Sequence, residues 1–105
     1  MDQKQVLISK MLKLQHIFEK QPDETSKLFV LKIKQAVDRL ANKRIQGVNI
    51  EPEIRPISTF IRDEMRTHDY QLTLEQRTAL FDMEETAQII ARKFFIGFPG
   101  ISGPL

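Results

Sequence analysis

Apolar residues recur along this chain at the three- and four-residue spacing of an α-helix, and no segment alternates as a strand would. From about Gln3 to Lys20, Leu7, Met11, Leu14 and Phe18 fall on one face, with Ile8 and Ile17 beside them. Asp2 and Gln5 have the Asp-x-x-Gln spacing of a capping box, in which the first side chain takes an amide of the opening turn. Gln21-Pro22-Asp23-Glu24 then stops this helix and starts another. A proline in the first turn forfeits no hydrogen bond, and acidic residues there face the positive end of the helix dipole. The second helix, over about 22–42, carries a stripe of Val30, Ile33, Val37 and Leu40, widened by Phe29 and Ala36.

Lys43 to Ile50 reads as a loop, with Gly47 and Asn49 as turn residues. A third helix, over about 54–67, is expected to start between Glu53 and Pro56, because Pro52 and Pro56 cannot both avoid the cost of a missing amide. It should bury Ile57, Phe60, Ile61 and Met65. Thr67-His68-Asp69-Tyr70-Gln71 breaks the pattern, and Thr73 with Gln76 forms a second capping box for a fourth helix over about 74–96. Its stripe is Leu80, Met83, Ala87, Ile90 and Phe94, and Gly97 stands where a left-handed cap is expected. Four amphipathic helices with short links cannot bury their stripes singly. The sequence therefore predicts an all-α, antiparallel four-helix bundle, one domain over 1–105, with an apolar C-terminal tail at 97–105.

A length of 105 residues supports one core, and 41% hydrophobic with 29% charged residues is a globular composition. The absence of cysteine excludes disulfides and thiolate metal sites and fits a reducing cytoplasm. Lys10 and Lys13 interrupt any signal-peptide core, and no apolar run approaches the roughly 20 residues of a membrane span, so a cytoplasmic protein is expected. The net charge of +2 hides a division: residues 1–50 hold ten Lys/Arg against five Asp/Glu, and residues 51–105 hold six against nine. Lys27, Lys34, Lys43 and Arg44 in the basic half are candidates to meet an anionic surface such as the inner membrane leaflet, where the protein would sit peripherally.

Catalytic chemistry finds little support in the residue pattern. His16 and His68 lie on different elements without a second ligand at metal spacing, so no metal or other cofactor is expected. Asp63-Glu64 and Glu84-Glu85 are adjacent in sequence and point about 100° apart on a helix, too divergent to share one proton. No nucleophile elbow or Gly-rich phosphate loop is present, and a non-enzymatic role is expected. Specific nucleic-acid binding is disfavoured as well, because Glu75, Asp82, Glu84 and Glu85 outnumber Arg77, Arg92 and Lys93 on the helix that would enter a groove. What stands out is the uncharged end, where Phe94, Phe95, Phe98, Pro99, Ile101 and Leu105 are candidates to contact a partner.

The layout as a whole resembles the bacteriocin immunity proteins of lactic acid bacteria and their relatives, particularly the enterocin A immunity type. The resemblance rests on the basic N-terminal helix pair, the proline-marked segment Ile54 to Ile61, the phrase Leu72-Thr73-Leu74-Glu75-Gln76, the pair Leu80-Phe81 and the tail after Gly97. It spans nearly the whole chain, although Phe98-Pro99-Gly100-Ile101 is more apolar than such ends usually are. It implies a cytoplasmic helical bundle that protects a producing cell from its own pore-forming peptide. In that family the protein acts at the membrane-embedded sugar-transporter receptor with the bacteriocin bound, and the C-terminal half sets which peptide is countered. The alternative is a small helical adaptor or a transcription-associated interaction module.

Overall fold

The computed structural model describes residues 2–96, with side chains through Lys93. Within them lie four helices, α1 (Gln3–Glu19), α2 (Glu24–Leu40), α3 (Glu51–Thr67) and α4 (Leu74–Ile96), with one 3-10 turn at Gly47–Asn49 between α2 and α3. Each helix packs against two neighbours in the cyclic order α1, α2, α3, α4, and the 3-10 turn touches α3 and α4. Phe18 of α1 meets Phe29 of α2, Arg39 of α2 pairs with Glu53 of α3, and Arg62 of α3 pairs with Glu84 of α4, so successive helices run antiparallel. The fold is the all-α antiparallel four-helix bundle that the periodicity implies.

The core of α1 is the expected stripe, with Leu7, Met11, Leu14, Ile17 and Phe18 buried. In α2 the buried line is Phe29, Ile33, Ala36 and Leu40, while Val30 and Val37 are only partly covered. The expected stripe is thus rotated. Phe29 is the reason: its ring takes edge-to-face positions against Phe18 at 4.9 Å, Tyr70 at 5.3 Å and Phe60 at 5.6 Å. Aromatic rings carry the largest burial area and prefer this geometry, so the bulkiest side chain claims the centre of the interface. Asp23 caps α2, its Oδ2 accepting the Ser26 amide at 2.9 Å, so Pro22 precedes the helix and does not sit in its first turn as expected.

α3 corrects the sequence reading most. It begins at Glu51, not between Glu53 and Pro56, and holds Pro52 in its first turn and Pro56 in its body. Pro56 deprives the Pro52 carbonyl of its amide partner and costs about 3 kcal/mol. Continuing the helix through it buries Ile50 and Ile54 with Ile57 and Ile61, and each added isoleucine contributes about 1.5–3 kcal/mol, enough to offset the loss. Phe60 and Met65, expected in the core, are only partly buried beside it. In α4, Leu80, Met83, Ala87 and Ile90 are buried as expected, joined by Ala79. The expected burial of Phe94 and the cap at Gly97 concern positions outside the described residues.

Candidate functional site

Of the two candidate contact regions, the basic one lies within the described residues and the apolar end does not. Phe94 and Phe95 belong to the last turn of α4, but their side chains, together with Phe98, Pro99, Ile101 and Leu105, lie outside the described residues. The last described turn sits where the start of α1, the 3-10 turn and α4 meet. There Ile50 and Ile90 floor a hollow of about 210 Å³ rimmed by Asp2, Gln3, Gln46 and Lys93. Lys4 anchors this end: its buried stem runs inward and Nζ donates to the Asn42 carbonyl at 3.0 Å, supplying a charged donor just past the end of α2. Gly47 takes a φ of 59°, the left-handed backbone that starts the turn closing this end.

The basic candidates lie on the α1–α2 hairpin. Lys27 and Lys34 are seven residues apart and share one outward stripe of α2, while Lys43 and Arg44 follow the helix in the link to the 3-10 turn. All four side chains are exposed. Lys27 is partly committed, with Nζ 3.3 Å from Glu24 Oε1, an exposed pair of small energetic weight. Three residues on this hairpin escaped the sequence reading: Leu12, Leu28 and Leu31 stand 46%, 48% and 49% exposed. The signal was present, since each lies off the stripe that the same helix buries, but an extra leucine beside an amphipathic face is easily absorbed into it.

A polar junction ties the link between α3 and α4 to the start of α2. Asp69 adopts a φ of 55°, which its short polar side chain tolerates, and the turn brings the Tyr70 amide back to the Glu64 carbonyl at 3.2 Å. The Tyr70 ring then packs on Phe29, and its hydroxyl donates to Asp23 Oδ2 at 3.0 Å while lying 2.5 Å from the Ser26 hydroxyl. Ser26 is fully buried and donates in turn to Asp23 Oδ1 at 2.9 Å. Slight burial works against the Asp23 carboxylate, but the hydrogen bonds from the Ser26 amide, the Ser26 hydroxyl and Tyr70 outweigh it and hold its pKa below the usual value. Burial pushes the Tyr70 phenol up, and the bond it donates to Asp23 adds to that.

Among the described residues, the carboxylates that line the α3–α4 and α2–α3 grooves are paired with arginines. Between α3 and α4 a groove of about 310 Å³ has Ile54 and Ala87 at its floor and Glu51, Glu84 and Gln88 at its rim. Both carboxylates are engaged, Glu51 by Arg55 and Glu84 by Arg62 at 2.6 Å, and these hydrogen bonds raise the pKa of each guanidinium. Between α2 and α3, Lys32 lies 4.7 Å from the centre of the Phe60 ring, a cation–π contact that covers the ring beside Pro56. His16 and His68 are exposed and each faces only a neighbouring glutamate, Glu19 at 3.6 Å and Glu64 at 3.0 Å. Among the described residues, no group of three His, Asp or Glu side chains could hold a metal ion, and no helix is long and apolar enough to cross a membrane.

At the start of α4 the phrase Leu72-Thr73-Leu74-Glu75-Gln76 forms a complete capping box. Thr73 Oγ1 accepts the Gln76 amide at 3.1 Å, and Gln76 Oε1 accepts the Thr73 amide at 2.9 Å with its side chain buried. Leu72 is buried before it, and Leu74, 78% exposed, points away from the bundle. Comparison with known proteins adds nothing to this picture: no family model, no curated protein and no solved structure matches the chain.

Proposed function

We propose that this chain is a non-enzymatic immunity protein that protects a cell from a pore-forming peptide bacteriocin, acting from the cytoplasmic side at the membrane receptor complex. The observation that supports it is the order of parts. A basic helical hairpin comes first, a proline-bearing third helix follows, and a reciprocally capped, long fourth helix leads into an uncharged apolar end. In such a protein the work is contact. The bundle supplies a rigid frame, and the end of α4 with Phe94, Phe95, Phe98, Pro99, Ile101 and Leu105 presents the surface that meets the sugar-transporter receptor once the peptide is bound.

The test is direct. A bacteriocin-sensitive strain expressing the chain should survive challenge with a peptide that kills the parent strain, within a panel of pore-forming bacteriocins. Deleting residues 98–105 should abolish that protection while the helical circular dichroism and the melting temperature stay near those of the full chain. Killing of the expressing strain by every peptide of the panel, with the protein folded in the cell, would overturn the proposal.

A further inference from the structure

We infer that the outward face of the α1–α2 hairpin is a docking surface for an anionic lipid bilayer, with Leu12, Leu28 and Leu31 entering the headgroup region and Lys27 and Lys34 beside them. Lys4 with Asn42 and Phe18 with Phe29 fix the register of the hairpin. That register sets Leu12 about level with Lys34, on the flank of α1 that faces α2. Leu31 lies one turn from Lys34 on α2, and Leu28 one turn further, rotated toward the flank from which Lys32 and Arg39 reach α3. Three leucines, each about half exposed, thus stand among lysines on two adjoining helices.

Charge selects the occupant. The first 50 residues carry a net +5 and the remainder a net −3, so the molecule has a basic pole on the hairpin and an acidic one opposite. Lys27 and Lys34 are exposed on this face, and Lys43 and Arg44 follow α2 in the link beyond it, against Glu19, Glu24 and Asp38. Lys27 and Glu24 are paired at 3.3 Å and exposed, a weak contact from which Lys27 can turn to lipid phosphate, and Asp38 stands one turn from Lys34 on α2. Leucine beside lysine is the composition of a helix lying at a lipid surface: the lysine stems stay along the apolar boundary while their ammonium groups reach lipid phosphates. A nucleic acid would call for aromatic side chains among the cations, and none is exposed on this face. On the acidic side, Phe81 lies under the Arg62 guanidinium at 5.5 Å, and Leu74 stands on a helix whose first turn is acidic, so neither makes a comparable site.

Nothing here depends on the immunity reading, because binding to lipid vesicles and protection of cells are read in separate assays. The full chain should sediment with vesicles of phosphatidylcholine mixed with phosphatidylglycerol, should stay free of pure phosphatidylcholine, and should be released as salt screens the charges. Replacing Lys27 and Lys34 by Gln should weaken partitioning about fivefold per lysine. Leu28→Asn and Leu31→Asn should each weaken it about fivefold, since roughly half of each side chain remains to be buried. Leu74→Asn on α4 should bind as the parent does, and circular dichroism should show every variant folded. Failure to bind the mixed vesicles at low salt would overturn the inference. So would lysine variants that lose binding while the leucine variants keep it, a result that would instead point to an acidic protein as the partner of this face.

Discussion

Removing one oxygen atom tests the junction that ties the α3–α4 link to the start of α2. In Tyr70→Phe the ring keeps its edge-to-face contact with Phe29 at 5.3 Å, so packing is unchanged and only the hydroxyl is lost. That hydroxyl donates to Asp23 at 3.0 Å and neighbours the Ser26 hydroxyl at 2.5 Å. A hydrogen bond to a charged group contributes about 1.5–3 kcal/mol, and the solvent around Asp23 draws this one toward the lower end. Ser26 still reaches Asp23 Oδ1, so no buried polar atom is orphaned. The expected loss is about 1–2 kcal/mol, which in a domain of this size lowers the melting temperature by about 5–10 °C. The pH dependence provides a second reading. Asp23 has a folded pKa below its unfolded value, so its contribution is complete above the unfolded value near 3.9 and disappears as pH falls through the lowered one. The gap between parent and variant should therefore close in acid. At the alkaline end the raised Tyr70 pKa stabilises the fold below about pH 10 and is lost as pH rises through the folded value, an effect only the parent can show. A Phe variant that melts with the parent at neutral pH, or a gap that persists in strong acid, would refute the junction.

Ile90→Ala should cost about 2–5 kcal/mol in urea melts, because Ile90 is buried at the floor of the α1–α4 end and leaves a cavity there. Thr73→Ala removes one half of the α4 capping box and should cost about 0.5–2 kcal/mol, whereas Thr73→Asp should melt near the parent. Pro56→Ala should raise the melting temperature, since it restores an amide to the body of α3 and a donor to the Pro52 carbonyl; a lower melting temperature would mean that rigidity of the unfolded chain outweighs the missing bond.

Period and caps made the helices readable, because a stripe at three and four residues and a Thr-x-x-Gln box are local signals. The α4 box formed as its spacing implied, and Asp2 accepts the Gln5 amide at 2.8 Å as the first cap should. Rotation about the helix axis was less legible. Val30 and Val37 match the period of α2 as well as Phe29 and Ala36 do, and only the meeting of Phe29 with rings from three other segments decides which pair turns inward. The α3 boundary failed for a related reason: a proline rule weighs one hydrogen bond, while the burial of Ile50 and Ile54 is settled by neighbours distant in sequence. The Tyr70–Asp23 bond and the bond from Lys4 to Asn42 join residues 47 and 38 positions apart, which no spacing rule reaches.

The ring of helices also governs how the chain can fold. Three of its four helix–helix seams join helices that follow one another, and only the α1–α4 seam joins elements from opposite ends of the chain. Hairpins assemble from local encounters, while that last seam bears the largest loop-closure entropy, a cost that grows only with the logarithm of the intervening length. Rapid folding with late closure of the α1–α4 seam is the expected course. Lateness belongs to the connectivity and not to the packing. Gln3 and Lys93 rim the same hollow, so a short linker from the end of α4 to the start of α1 would let the chain be reopened between α2 and α3. In that permutant the α1–α4 seam becomes local, and the seam between α2 and α3 inherits the wait.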